Sequence, residues 1–289
     1  MKKIVSLFFG VLLAVFLWVL MFGGLANSPG SSFNKAHNAI WLGHEWVGEV
    51  KSEGDVEELV RNLEKHGIDT VFVHSGPFLS DGSVDANVYP LAFDFLKKAR
   101  KFSSEIQWQA WLGQIRGKID IDDEKVRGKM VKTVGYMVTI AGFDGIHFDV
   151  EPVWDEDEGF FMLLEESRRE VGKEVKISVA LAEFVPGSVI WLLEGLYEFV
   201  NVNSEVTYER VKEQTIWVSD LMEGTEVFMG IPAYESESPA ENVKNALEGI
   251  VEGLNHFRSE EDNFAGVSIY AYWEMEDEEW AVWRDVWGL

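Results

Sequence analysis

From residue 36 onward, eight short runs rich in β-branched and aromatic residues alternate with amphipathic stretches. The runs lie at 38–43, 69–74, 106–112, 144–151, 175–182, 198–204, 226–233 and 265–272. Each has the length of a strand and leaves through glycine or a polar residue. The stretches between them collect apolar side chains on one helical face. In 55–66 these are Val56, Leu59, Val60 and Leu63; in 123–141 they are Val126, Met130, Val134, Met137 and Val138. Residues 158–171, 187–197, 208–222, 239–257 and 277–287 behave likewise. Strands separated by helix-length crossovers pair in parallel. Eight such units in about 250 residues is the count and size of a (β/α)8 barrel. An open doubly wound sheet is the rival, but no Gly-x-Gly-x-x-Gly follows the first run and no phosphate-binding loop occurs. The expected fold class is therefore α/β, a (β/α)8 TIM barrel.

The fourth run carries the chemistry. Residues 143–152 read Phe-Asp-Gly-Ile-His-Phe-Asp-Val-Glu-Pro. Successive side chains of a strand face opposite ways. Ile146, Phe148 and Val150 thus share one face, and His147, Asp149 and Glu151 share the other. Burying charge is expensive, so three ionisable groups in a row on an inner face imply a task. They also sit at the strand's C-terminal end, where parallel α/β folds place their sites. Paired carboxylates suit glycosidic cleavage, in which one must hold a proton near neutral pH. Glu151 is outermost and is the natural acid. Asp149 lies about 6–7 Å back along the strand and raises the Glu151 pKa by like-charge repulsion. His147 lies behind Asp149, placed to hold it by hydrogen bond or to share its proton. A divalent-metal reading of His-x-Asp-x-Glu has no second histidine cluster to support it.

Composition narrows the class. The net charge is −25, and residues 1–35 hold three lysines and no acids. The remainder carries 22 basic against 50 acidic residues, or −28. Such a surface repels phosphate backbones, so no nucleic-acid partner is expected. With no cysteine, disulfides, thiolate metal sites and cysteine nucleophiles are excluded. No metal and no cofactor are implied. The chain starts Met-Lys-Lys, then runs apolar and uncharged from Ile4 to about Leu25. That reaches the roughly 20 residues a bilayer requires, against about 7–15 in a signal peptide. Residues 1–26 are read as a membrane anchor or signal peptide, 27–36 as a linker, and 37–289 as the barrel. Lys2 and Lys3 keep the short end in the cytoplasm. The barrel is then expected on the extracellular face or secreted, touching membrane through the N-terminal segment only. Oligomeric state is not legible.

Three of these stretches resemble family 18 glycoside hydrolases, the chitinase-like barrels. Asp144-Gly-Ile-His147-Phe-Asp149-Val-Glu151 is similar to that family's Asp-x-x-Asp-x-Asp-x-Glu signature. Gly230-Ile-Pro-Ala-Tyr234 resembles its seventh strand, and Gly266-Val-Ser-Ile-Tyr270-Ala-Tyr272-Trp273 its eighth. The resemblance implies a retaining, substrate-assisted hydrolysis of β-linked, N-acetylated sugars. It gives Glu151 the acid/base role and Asp149 the orientation of the substrate acetamide. Asp144, the signature's first acid, is more often structural, capping the strand entrance, and is also counted among the candidate substrate-binding residues. Tyr234, Tyr270 and Trp273 are implied to line the sugar subsite. Two positions depart from the pattern. The signature's middle aspartate is His147, which as a cation would support Asp149. The sixth strand reads Asn201-Val-Asn203-Ser204-Glu205 where the family has a tyrosine and an acid, and Glu205 is the candidate stand-in.

The chain has 12 tryptophans, and aromatic rings stack on the apolar faces of sugars. Trp111 at the end of the third run, on the face of Gln107 and Gln109, joins Trp46, Trp154 and Trp273 as a candidate platform. Gln109 is a candidate hydroxyl partner. Trp191, Trp217, Trp280, Trp283 and Trp287 lie at core spacing on helices. The expected partner is an oligo- or polysaccharide. The alternatives are a sugar-binding barrel without turnover, and a glycosidase for non-acetylated sugars with Asp149 or Glu205 as nucleophile.

Overall fold

The computed structural model describes residues 31–154, 157–181, 196–199, 208–221, 226–234, 241–256 and 264–288. Eight strands close into a barrel in chain order: β1 (Ala39–Leu42), β2 (Thr70–His74), β3 (Gln107–Ile115), β4 (Gly145–Glu151), β5 (Lys176–Leu181), β6 (Leu196–Phe199), β7 (Glu226–Pro232) and β8 (Phe264–Tyr270). All neighbours are parallel, and β8 returns to β1 through Ala39↔Ser268 and Ile40↔Ile269. The helices are α1 (Glu45–Gly48), α2 (Glu53–Lys65), α3 (Ala92–Phe102), α4 (Glu124–Tyr136), α5 (Glu158–Val171), α6 (Tyr208–Leu221), α7 (Val243–Leu254) and α8 (Asp277–Val282). Single π turns prolong α4 over Met137–Ala141 and α8 over Trp283–Trp287.

Local chemistry sets these boundaries. Ser52 accepts from the Asp55 amide while Asp55 accepts from the Ser52 amide, a capping box that starts α2. Asp157 caps α5 by accepting from the Phe160 amide at 3.0 Å. The helix α3 was not among the expected elements. Its apolar residues Ala92, Phe95, Leu96 and Ala99 are buried at helical spacing. Its N-cap is Leu91, whose side chain makes no capping bond, so the usual start signal is missing. Strand β6 lies earlier than the expected 198–204, and its first two residues fall in the stretch read as helix 187–197. Residues 187–195 and 200–207, with Trp191 and Glu205, lie outside the described residues. So does the expected anchor or signal segment at 1–26. Among the described residues, no helix is long and apolar enough to cross a membrane.

Alternation along the strands makes two apolar layers. Ile146, Phe148 and Val150 pack outward against the helices, with Phe160 and Trp108. Trp41, Phe72, Trp111 and Phe228 fill the barrel interior. At the N-terminal floor, Asn38 gathers three segments. Its Nδ2 donates to Gly67 O at 2.8 Å, and its Oδ1 accepts from Val267 N at 3.1 Å and from Trp287 Nε1 at 2.9 Å. Trp283 Nε1 donates to His66 O at 3.1 Å. Both tryptophans are fully buried, as their spacing predicts.

Candidate active site

The strand β3 continues three residues past the expected 112, and this extension builds the site. It pairs the whole of β4, with Trp111 opposite His147, Gly113 opposite Asp149 and Ile115 opposite Glu151. Trp111 is therefore a mid-strand residue, one step below the two acids. Its Nε1 donates to Asp149 Oδ2 at 2.8 Å. A Cβ at Gly113 would lie 3.3 Å from Asp149 Oδ2 and 3.0 Å from Asp149 O, so the absent side chain leaves the carboxyl room against β3.

Asp149 and Glu151 are partly exposed at the C-terminal rim, whereas His147 below them is fully buried. Burial pushes the Glu151 carboxyl up to about 8, and the Asp149 charge pushes it the same way. Burial also raises Asp149, while the Trp111 hydrogen bond pulls it down. The two acids thus behave as a coupled pair in which Glu151 keeps a proton near neutrality. The Tyr270 ring lies 6.2 Å from that of Trp111, which holds Asp149, and its phenol is raised by burial and then by the charges of Asp149, Glu151 and Glu274. Trp273 stands half exposed next to it, ring to ring at 5.7 Å, and the Tyr234 ring lies 6.3 Å from it. Tyr234 donates its hydroxyl to Glu241 at 2.7 Å.

Four expectations need correction. His147 does not hold Asp149: its Nδ1 lies 2.8 Å from Ser178 Oγ, which in turn donates to Gln109 Oε1 at 2.6 Å. Nor is it a cation. Stacked on Phe72 at 3.9 Å and enclosed, its pKa is driven down to about 3 by burial. Gln109 is likewise fully buried in the barrel interior, one layer beneath Trp111, where sugar does not reach. Trp111 is only 9% exposed and serves as a hydrogen-bond donor to Asp149 rather than an open platform. Asp144 precedes β4 at the opposite end, about 20 Å from Glu151 at strand rise. It pairs with Arg100 at 2.7 Å and accepts from the Trp108 amide at 3.0 Å, a structural tie across the floor. Glu205 lies outside the described residues.

Gly113, Ser178 and a buried ion pair also belong to the site, and no sequence pattern marks them. Arg116, just past β3, meets Asp157 with both side chains almost fully enclosed, and its guanidinium lies 4.3 Å from the Trp154 ring. This pair fastens the loop after β3 to the loop after β4. Trp154 itself is half exposed, three residues beyond Glu151. Trp46, by contrast, packs against Phe95 and Tyr272. Ser178 carried no signal because a lone serine in a strand is commonplace. Among the described residues no three His, Asp or Glu side chains converge as a metal-ligand set.

This barrel superimposes on solved structures of chitinases and of a spore cortex-lytic enzyme. The spore cortex-lytic enzyme SleL of Bacillus cereus superimposes with a TM-score of 0.62 at 10% identity, over 86% of this chain and 74% of that one. A chitinase from Bacteroides thetaiotaomicron gives 0.60 at 11% identity, over 85% and 92% of the two chains. A family 18 chitinase from Chromobacterium violaceum gives 0.58 at 13% identity, over 90% and 86%. No family model matches the sequence, and no curated protein matches it. The likeness is therefore one of fold.

Proposed function

We propose that this barrel is a retaining glycoside hydrolase acting on β-linked, N-acetylated glycans. Glu151 protonates the glycosidic oxygen as the bond to the anomeric carbon breaks. The substrate's acetamide oxygen attacks that carbon, and Asp149 steadies the positive charge that develops on the acetamide. Deprotonated Glu151 then draws a proton from the water that opens the cyclic intermediate, which regenerates the acid. Tyr270 and Trp273 bound the sugar beside the pair. The observation that carries the reading is the carboxyl pair at the rim of β4, with Glu151 raised to about 8 and therefore protonated at neutral pH. The fold shared with SleL and the chitinases supports a polysaccharide substrate. The N-terminal apolar segment supports an anchored or secreted location outside the cell.

The test is turnover of N-acetylglucosamine oligomers and of a chromogenic N-acetylglucosaminide. Glu151→Gln loses at least about 1,000-fold in kcat while its melting temperature stays at or above the wild-type value, since the change removes a proton donor and no packing. If Glu151→Gln keeps most of the wild-type rate, the site is elsewhere. Tight binding of the oligomers by wild type without turnover replaces the hydrolase with a sugar-binding barrel.

A further inference from the structure

Asp149 sits in a family signature whose usual partner acid is absent, yet a different group on the next strand reaches it. We infer that Trp111 is the positioning residue for the carboxyl pair, its indole N–H fixing the direction in which the Asp149 carboxylate faces. The inference rests on the hydrolase reading for its kinetic consequence, but its structural part stands without it.

Three observations carry it. First, the group that would occupy the partner's place is engaged elsewhere: His147 is buried and joined through Ser178 to Gln109. Second, the contact from Trp111 is direct, at 2.8 Å from Nε1 to Oδ2. An N–H aimed at one carboxylate oxygen both orients the carboxyl and favours its ionised form. Third, the indole is locked. It is 9% exposed, and it packs edge-on against His74 of β2 at 4.6 Å and Tyr270 of β8 at 6.2 Å. Gly113, one step further along β3, leaves the space in which the carboxyl lies.

The groups around Asp149 set what its loss would do. Glu151 stands beyond it on β4, and His147 lies below. Tyr270 faces it from β8, with Glu274 after that strand. His74 stands behind the indole, with His44 at 5.9 Å. Burial drives His74 down to about 4, so that ring carries no charge near neutral pH that could take the place of the lost donor. Without the indole N–H, Asp149 takes up protons more readily and turns more freely. The productive state, Asp149 ionised and Glu151 protonated, then survives over a narrower range.

The experiment compares wild type with Trp111→Phe, Trp111→Leu and Trp41→Phe. Trp41 belongs to the same interior cluster, so its variant measures the cost of losing an indole there. Carboxyl titrations of the substrate-free proteins, followed by carbon NMR, should show the Asp149 midpoint raised by about one unit in both Trp111 variants and unmoved in Trp41→Phe. In turnover, the acid limb of the pH–rate profile should rise by about one unit, and kcat should fall about 10- to 100-fold with KM within about threefold. An Asp149 midpoint unchanged in both Trp111 variants overturns the inference. So does a midpoint that rises equally in Trp41→Phe. If the midpoint moves as stated but wild type cleaves no N-acetylated glycan, Trp111 keeps its positioning role and the hydrolase reading falls.

Discussion

At the scale of single residues, protonation is the controlling quantity. Glu151 has a folded-state pKa near 8, above its unfolded value, so the folded protein binds the extra proton between the two. The stability this contributes is complete below about pH 4.3 and is lost as pH rises through the folded value. Thermal melts should therefore show wild type losing about 5 °C between pH 5 and pH 9, with Glu151→Gln much flatter. The same carboxyl sets the basic limb of the rate profile near pH 8. His147 behaves oppositely. With its pKa depressed to about 3, it stays neutral across the physiological range, and ring NMR signals should show no titration between pH 5 and pH 8. A midpoint inside that window would restore the cationic role expected from sequence. Gly113 offers a third check. A methyl group there meets the Asp149 backbone oxygen at 3.0 Å and its carboxyl at 3.3 Å, so Gly113→Ala should lower kcat about tenfold or more and lower the melting temperature as well.

At the scale of elements, the two loops that frame the acids are held by one ion pair. Arg116 and Asp157 are both nearly fully enclosed, and removing either partner strands a buried charge. Asp157→Ala also removes the cap of α5. It should cost about 3–5 kcal/mol, visible as a large drop in denaturation midpoint. Asp157→Asn retains a cap and should lose less. The strands and most helices were legible because period-two and period-3.6 patterns report burial directly, as Ile146, Phe148 and Val150 do on β4. Two features were not. The length of β3 depends on its partner: Gly113, Gln114 and Ile115 look like a loop until β4 offers them a ladder. The direction of a buried polar group depends on its neighbours across the barrel. His147 was readable as inward-facing, but its turn toward Ser178 is a contact 31 positions away, and one sequence carries no trace of it.

At the scale of the whole molecule, closure and chemistry occupy opposite ends. The seam between β8 and β1 has the register pairs Ala39↔Ser268 and Ile40↔Ile269, and Asn38 with Trp287 reinforces it from beneath. Trp287→Ala should destabilise the barrel by about 3–5 kcal/mol. The acids stand at the far rim, about 20 Å of strand away. Effects at such separations normally add rather than interact. Selection, or an engineer, can therefore adjust heat tolerance by repacking the tryptophan floor while the pH–rate profile at the rim stays where it was. Apart from the pH-dependent share that Glu151 itself carries, durability in this chain can drift without moving its proton chemistry.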